Sequence, residues 1–235
     1  MANPRPVIQV SELLMLSAFR AMPETQLEQL AAILVGQTYA PGQLIFVESE
    51  PSVGLWFVAE GRVKIMKQSL NGRVQGICLM NQGKCFGSCP LFNTGRNPAT
   101  AQALDNVTLF VLPQEQLQHV GKADPNFVAA LLHVYSQRLE SLARLSTSLS
   151  TWAVADRIND VLLTYADRIE SQRVVILTHE ELAALSGTVR EVVTRHLASL
   201  EKAGTVRIEP GQITLVDPSA LTLPCRFDDG ELAVT

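Results

Sequence analysis

The stretch that most constrains the fold of this chain covers residues 178–201, THEELAALSGTVREVVTRHLASLE. Thr178 and Glu181 have the spacing of a capping box, in which a hydroxyl and a carboxylate each bond to a backbone N–H group at a helix start. Gly187 suits a turn with positive φ, and Thr188 begins a second T-x-x-E spacing that predicts a second helix start. The stretch therefore predicts two helices joined by a tight turn.

The second predicted helix has two unlike faces. At about 100° per residue, one side holds Val189, Val192, Val193, His196 and Leu200, and the other holds Arg190, Glu191, Thr194, Arg195 and Ala198. Two arginines beside an acid and a threonine suit insertion into a major groove, where Arg pairs with guanine and Glu accepts from cytosine. An ordinary amphipathic helix pair is the alternative.

The residues after this helix predict a β-hairpin. Ala203-Gly204 ends the helix, residues 205–208 and 212–216 have the composition of strands, and Pro210-Gly211 supplies the turn between them. Two helices followed by such a hairpin form a winged helix-turn-helix, whose second helix enters the major groove.

This C-terminal pattern resembles the DNA-reading end of the cyclic-AMP receptor/FNR (Crp/Fnr) family of bacterial transcription regulators. The matching positions are Thr178, Glu181, Leu182, Ala183, Gly187, Arg190, Glu191, Val193, Arg195, Leu197, Leu200, Glu201 and Gly204. The resemblance implies a non-enzymatic homodimer on palindromic DNA with TGTGA-like half-sites and RNA polymerase as a further partner. The implied DNA-contacting residues are Thr178, Thr188, Val189, Arg190, Glu191, Thr194 and Arg195.

Composition bounds the class of protein. The chain has 235 residues, of which 47% are hydrophobic and 18% charged, and this excludes a disordered chain. No N-terminal signal region and no apolar run of about 20 residues is present, so we expect a cytoplasmic protein without a membrane segment. Four cysteines without a secretion signal fit a reducing compartment.

The charge balance is unusual for a DNA-binding protein. The net charge is −4, and residues 152–217 hold seven Lys/Arg against ten Asp/Glu. Because a basic patch is the usual electrostatic footprint of nucleic-acid binding, we expect weak non-specific affinity and a reliance on base contacts. The acidity also supports an alternative, in which a redox, haem or small-molecule sensor signals through protein contact rather than DNA.

The N-terminal half predicts two short helices, at residues 11–19 and 23–34, followed by strands and turns over residues 37–112. Glu60-Gly61 and Asn71-Gly72 are hairpin signals. Many strands at short spacing predict a barrel or a double-sheet roll. The sequence here resembles the eight-stranded β-roll (double-stranded jelly roll) of the cyclic-nucleotide-binding fold, so the whole chain is predicted to be α+β.

A long central helix is predicted between the two halves, with Asp124-Pro125 as its start and an end near Leu149. Steps of three and four residues give a coiled-coil seam with one polar interruption at Ser146. We expect this seam to form a homodimer interface through Leu132, Tyr135, Leu139, Leu142 and Leu149. Packing of the helix on its own β-roll is the alternative.

The small hydroxyl residues at 146–151 favour a hinge, and residues 156–169 are predicted to form the first helix of the DNA-binding domain. The predicted domains are therefore a β-roll sensor at 1–123, the dimerisation helix with its hinge at 124–150, and a winged helix-turn-helix at 151–235.

The effector region departs from the family pattern. In family members that bind cyclic AMP, a Gly-Glu turn meets the ribose and an Arg-Ser pair holds the phosphate, whereas this chain has Gly87-Ser88-Cys89 and then Arg96-Asn97-Pro98. The adenine-facing positions of the central helix correspond to Leu142 and Ala143. The predicted effector pocket is therefore Gly87, Ser88, Cys89, Arg96, Asn97, Leu142 and Ala143, and the departures argue against cyclic AMP.

Three interpretations of the cysteines stay open: buried hydrophobic side chains, a redox-sensing thiol pair, or a ligand for haem or another metal. The candidate residues for redox or metal chemistry are Cys78, Cys85, Cys89 and His133. No metal-ligand spacing, P-loop, nucleophile elbow or Rossmann fingerprint occurs, and the sequence therefore favours a regulator over an enzyme.

Overall fold

The computed structural model describes residues 3–5, 8–16, 19, 22–69, 71–72, 74–87, 95–123, 125–169 and 171–224. The chain divides into two compact units, Met1–Leu142 and Ala143–Thr235. Ser88, Cys89 and Asp124, which carry predictions from the sequence, and the fourth cysteine, Cys225, lie outside the described residues. Within the described part of the chain, no helix has both the length and the apolar character needed to cross a membrane.

The N-terminal unit is a β-roll with helices before and after it. Its elements are β1 (Asn3–Arg5), α1 (Val10–Leu14), α2 (Glu24–Ile33), β2 (Val35–Tyr39), β3 (Leu44–Phe46), β4 (Gly54–Glu60), β5 (Val63–Gln68), β6 (Val74–Met80), β7 (Cys85–Phe86), β8 (Thr100–Ala103), β9 (Val107–Pro113) and α3 (Gln114–Ala123). The strands form two antiparallel sheets, in the orders β1-β2-β9-β4-β7 and β3-β8-β5-β6. Strands β2 to β9 confirm the predicted eight-stranded roll.

Alternation along the strands builds two cores, one on each face of the first sheet. Trp56 and Val58 of β4 point into the roll and pack with residues of the second sheet, such as Ile65. Leu55 and Phe57 point the other way, into a cluster formed with α1, α2 and α3 and with Phe127 and Leu131 of the following helix. Because successive side chains of a strand alternate between its faces, a continuous apolar run such as residues 55–58 buries both faces of its sheet.

Two turn predictions have different outcomes. The Asn71-Gly72 hairpin is confirmed, since β5 and β6 pair from Val63 opposite Met80 to Gln68 opposite Val74. The Glu60-Gly61 hairpin is wrong, because β4 pairs with β7 and β9 while β5 pairs with β6 and β8. At Gly61 the chain crosses between sheets, and the backbone N–H of Arg62 donates to Asp105 Oδ1 at 2.7 Å.

Helix α4 (Pro125–Thr151) is the predicted central helix, and it continues from the first unit into the second. Residues 146–151, where the sequence predicts a hinge with turns, are helical. Their hydroxyls donate to carbonyls one turn earlier, as Thr151 Oγ1 does to Thr147 O at 2.8 Å and Ser150 Oγ to Ser146 O at 2.9 Å. The chain leaves the helix at Trp152, and extended Ala153 precedes the next one.

The C-terminal unit contains α5 (Val154–Thr164), β10 (Asp167–Ile169), β11 (Gln172–Val175), α6 (His179–Ser186), α7 (Arg190–Lys202), β12 (Val206–Glu209), β13 (Gln212–Leu215) and a 3-10 turn at Pro218–Ala220. The predicted helix at 156–169 ends early, at Thr164. Residues 167–169 instead pair with β11, and the predicted hairpin β12–β13 completes a sheet in the order β10-β11-β13-β12.

Candidate nucleic-acid interface and effector region

Helix α6 begins with the predicted capping box. Thr178 Oγ1 accepts from the Glu181 N–H at 3.2 Å, and the Thr178 N–H donates to Glu181 Oε2 at 2.7 Å. Helix α6 ends at Gly187, whose φ of 64° and ψ of 42° are left-handed. Both expectations are confirmed, and together they fix the angle at which the chain enters and leaves α6.

The start of α7 differs from the prediction. Its N-cap is Val189, and no side chain caps it. The Thr188 N–H donates to Ala183 O at 2.9 Å, so Thr188 completes the end of α6 and is not the second capping residue. Val189 is 51% exposed, unlike the other residues of its side of the helix, and is therefore accessible for the predicted DNA contact.

The two faces of α7 otherwise follow the prediction. Val193 and Leu197 are fully buried, and Val192, His196 and Leu200 are partly buried. The opposite face leaves Arg190, Glu191, Thr194, Arg195 and Ala198 exposed. The buried side therefore holds the helix while the charged side remains available to a ligand.

His179 is a further candidate, which the sequence patterns do not single out. His179 is the first residue of α6, and its Nδ1 lies 2.9 Å from Oγ1 of Thr194 on the exposed face of α7. Thr194 Oγ1 in turn donates to Arg190 O at 3.0 Å. The contact spans fifteen residues and two helices, and no local sequence signal marks it.

A cleft of about 370 Å³ lies where α6, α7 and the β12–β13 hairpin meet. Acidic, basic and uncharged polar side chains line it, among them Thr178, His179, Glu180, Arg190, Glu209 and Gln212. The starts of both helices and the hairpin therefore lie on one surface around this cleft. A winged helix-turn-helix presents this arrangement to DNA.

Arg157 of α5 fixes the turn between α6 and α7. Its Nε donates to Ser186 O at 2.8 Å, its Nη2 to Gly187 O at 3.4 Å and its Nη1 to Trp152 O at 3.1 Å. One cation therefore satisfies the carbonyls at the end of α6 and the carbonyl that follows α4.

Two further polar pairs hold α5. His196 Nε2 lies 2.9 Å from Asn159 Oδ1, and burial lowers the pKa of His196 although Asp156 opposes the shift. Arg144 Nη2 lies 3.3 Å from Asp160 Oδ1. Burial raises the pKa of Asp160, and the Arg144 charge and hydrogen bond partly offset that rise.

Comparisons with known proteins match both halves of the chain. Residues 36–124 match a cyclic nucleotide-binding domain, and residues 156–223 match a Crp-like helix-turn-helix domain. The transcriptional regulator SdrP of Thermus thermophilus is 31% identical over 169 residues, which cover 70% of this chain and 80% of SdrP.

The chain belongs to the Crp/Fnr family of transcription regulators. It is also 29% identical to the cyclic AMP receptor protein of Thermus thermophilus over 183 residues, covering 78% of this chain and 84% of that protein. FixK2 from Bradyrhizobium japonicum shares the fold, with a TM-score of 0.72 at 19% identity over 80% of this chain and 96% of FixK2. The chain is therefore a non-enzymatic DNA-binding regulator, and protein contact as a substitute for DNA binding is set aside.

In this Crp/Fnr regulator the described effector residues are held by the roll itself. Arg96 Nη1 donates to Ser49 O at 2.7 Å. Asn97 is buried, and its Nδ2 donates to Val47 O at 3.3 Å. Gly87 has a φ of 109°, and a Cβ there would lie 2.9 Å from Trp56 Cδ1. Leu142 and Ala143 are exposed on α4.

Aromatic rings fill much of the roll interior near Gly87. Trp56 and Phe86 stack with centroids 6.3 Å apart, and Phe46 lies 6.0 Å from Trp56 and 5.9 Å from Phe86. Trp56 Nε1 and Asn97 Oδ1 are buried without a hydrogen-bond partner. These two atoms are a donor and an acceptor that a ligand of the roll could satisfy.

The described cysteines lie in separate cores. Cys85 is buried in the cluster between the first sheet and the helices, whereas Cys78 packs against the interior of the roll. Burial raises the pKa of Cys78, although Arg138 opposes the shift, and a raised pKa disfavours the thiolate. His133 is exposed beside Gln137, and no group of three metal-ligating side chains occurs among the described residues.

One edge of α4 carries a row of exposed apolar side chains. Leu132 is 52% exposed, Leu139 69%, Leu142 42% and Leu149 36%. Tyr135 is only half-buried and packs against the core that α4 shares with the roll, where Phe127 and Leu131 are fully buried. The helix therefore packs on its own roll through one face and leaves the predicted seam largely uncovered.

Proposed function

We propose that this Crp/Fnr regulator binds palindromic DNA as a homodimer, with α7 of each copy reading a TGTGA-like half-site. The observation that carries the proposal is the exposed face of α7, where Arg190, Glu191 and Arg195 project from a helix anchored by buried Val193 and Leu197. Arg pairs bidentately with guanine, and Glu accepts from the cytosine amino group. Arg190 and Arg195 would therefore read guanines and Glu191 a cytosine, while Thr178, Thr188, Val189 and Thr194 supply the remaining contacts.

The acidic character of this domain shapes how it would bind. Glu180 and Glu209 line the same cleft as Arg190, and carboxylates there repel the DNA backbone. Few phosphate contacts give a shallow dependence of affinity on salt. We therefore expect weak binding to random DNA and a large share of specificity from base contacts.

The exposed row on α4 supports the dimer. Leucines repeated at steps of three and four on a helix of 27 residues suit a two-stranded coiled coil. A two-fold axis along this seam would give two reading helices about one DNA turn apart, as a palindromic site requires.

For the effector, we propose a ligand other than cyclic AMP. A buried cyclic phosphate needs a bidentate cation and donors, whereas Arg96 is bonded to Ser49 O and Pro98 has no donor. We infer a small organic ligand, and its support is that Trp56 Nε1 and Asn97 Oδ1, a buried donor and a buried acceptor, have no hydrogen-bond partner. The alternatives are haem held by Cys89 or His133 and a thiol switch among Cys78, Cys85 and Cys89. RNA polymerase, in the cytoplasm, would read the signal.

Fluorescence anisotropy with a TGTGA palindrome and a scrambled duplex, in rising salt, tests the proposal. We expect a preference for the palindrome that persists as salt rises, and light scattering should give the mass of a dimer. Equal affinity for the two duplexes, or a monomer on the palindrome, would refute it. The absorption spectrum of the purified protein separates the effectors, since a Soret band means haem and its absence favours an organic ligand or a thiol.

A further inference from the structure

Thr194 lies near the centre of the exposed face of α7. At about 100° per residue, its position falls between those of Arg190 and Glu191, one turn earlier, and Arg195 follows it in the chain. All four of these residues are exposed. Thr194 therefore lies among the three charged side chains that the proposed function assigns to guanine and cytosine.

The hydroxyl group of Thr194 is bonded within the protein. Thr194 Oγ1 donates to Arg190 O at 3.0 Å and lies 2.9 Å from His179 Nδ1 of α6. A hydroxyl has a single hydrogen, which goes to Arg190 O or, with the other tautomer of the imidazole, to Nδ1. Both assignments keep this hydrogen inside the protein, so the Thr194 side chain has no donor left for a DNA base.

The methyl group Cγ2 is the part of the Thr194 side chain that these contacts leave over. Threonine in a helix divides between two χ1 rotamers, and the contacts of Oγ1 with Arg190 O and His179 hold one of them. Because the residue is exposed and its oxygen is engaged, the face of α7 presents a fixed apolar group between its charged side chains.

The composition of α7 leaves A·T base pairs without a bidentate polar partner. Adenine is read in this way by Asn or Gln, and α7, REVVTRHLASLEK, contains neither. The group that marks thymine in the major groove is its 5-methyl group, which apolar groups such as the threonine methyl contact. We propose that Thr194 is a specificity-determining residue whose Cγ2 packs against the 5-methyl group of one thymine in each half-site. The inference rests on the proposed DNA-binding mode and adds a thymine to the bases that α7 reads.

Uracil differs from thymine only by the absence of this methyl group, so it tests the contact directly. The measurement is competition binding of the full chain to palindromes in which each thymine of the half-site is replaced in turn by uracil. We expect one position at which the replacement weakens binding by about fourfold per half-site, which is the factor that burial of one methyl group supplies. Replacement at the other positions should leave the affinity nearly unchanged.

Two substitutions at Thr194 separate its methyl group from its hydroxyl group. Thr194→Ser keeps the hydroxyl and removes the methyl, and it should bind the thymine and uracil palindromes equally well. Thr194→Val removes the hydroxyl and keeps a methyl at the same place, and it should retain the preference for thymine. Ala198→Gly, which removes another exposed methyl group from the same face one turn later, is the matched control. It should lower the affinity for both palindromes alike and keep the preference.

The outcomes distinguish this inference from the proposed function. A protein that prefers the palindrome to a scrambled duplex but is insensitive to uracil would overturn the methyl contact alone. A preference for thymine that survives in Thr194→Ser, or that disappears in Thr194→Val, would do the same, and the second result would assign the reading to the oxygen. Equal affinity for the palindrome and the scrambled duplex would overturn the DNA-binding mode and this inference together.

Discussion

Arg157 Nε donates to Ser186 O at 2.8 Å, and the same guanidinium reaches the carbonyls of Gly187 and Trp152. A hydrogen bond from a charged donor contributes about 1.5–3 kcal/mol, and removing the donor leaves partly buried carbonyls unpaired. We expect Arg157→Gln to lower the free energy of unfolding of the C-terminal unit by about 1–3 kcal/mol, measured by urea denaturation. Arg168→Gln, at an exposed arginine of β10, should change it by no more than about 0.5 kcal/mol. Equal losses in the two variants would contradict the bridging role.

The pair His196 and Asn159 predicts a pH dependence of stability. Burial lowers the pKa of His196 in the folded chain, so the unfolded chain binds protons more readily, and stability is lost as pH falls below the ordinary histidine pKa of about 6.5. We expect thermal unfolding of the protein to move down by a few degrees between neutral pH and pH values near 5.5, where histidine is mostly charged when unfolded. His196→Gln can still donate to Asn159 and should weaken this dependence, whereas His133→Gln, at an exposed histidine, should leave it intact.

How much of this architecture the sequence could predict depends on how local its signals are. The capping box at Thr178, the left-handed Gly187 and the Asn71-Gly72 hairpin involve neighbouring residues, and all three are confirmed. Strand pairing is not local. Glu60-Gly61 specifies a turn but not the sheet that the next strand joins, and β5 joins the other sheet.

The same limit explains the remaining differences. Residues 167–169 leave the helical pattern of α5 because β11 offers them a partner, and a pattern of periodicity cannot show that pairing. No sequence pattern predicts helix α3, although Leu117 is fully buried. In the site, the face of α7 could be predicted from its own periodicity, whereas the contact of His179 with Thr194 depends on the angle between two helices.

A substitution at Gly54 tests how closely the backbone of β4 approaches that of β9. A Cβ at this position would lie 2.1 Å from Leu112 O and 2.9 Å from Leu112 C, both backbone atoms that cannot move aside easily. We expect Gly54→Ala to cost about 3 kcal/mol or more, as overpacking of a core does. Gly42→Ala meets nothing within 4 Å and should cost only the left-handed backbone term of about 1–2 kcal/mol. Chemical denaturation of the two variants measures both losses of stability, and a larger loss in Gly42→Ala than in Gly54→Ala would contradict this expectation.

Leu139 tests the seam on α4. It is 69% exposed, and a charge at the centre of a two-stranded coiled coil would be buried without a partner. We expect Leu139→Asp to shift light scattering from dimer to monomer and to abolish binding to a two-half-site palindrome. Gln137→Asp, at an exposed position off the seam on the same helix, should remain dimeric. A dimer of unchanged affinity in Leu139→Asp would place the interface elsewhere.

A substitution at Arg190 tests whether this residue contacts a DNA base. It is exposed at the first position of α7 and lines the cleft beside His179. If Arg190 pairs with one guanine, Arg190→Ala should cost about 1–3 kcal/mol of binding free energy and relax the preference at a single base position. Competition against palindromes altered at each position of the half-site measures this, with Lys202→Ala at the far end of α7 as the control that keeps the full preference. An equal loss on every sequence would mean that Arg190 contacts phosphate and that another residue of the α7 face distinguishes the bases.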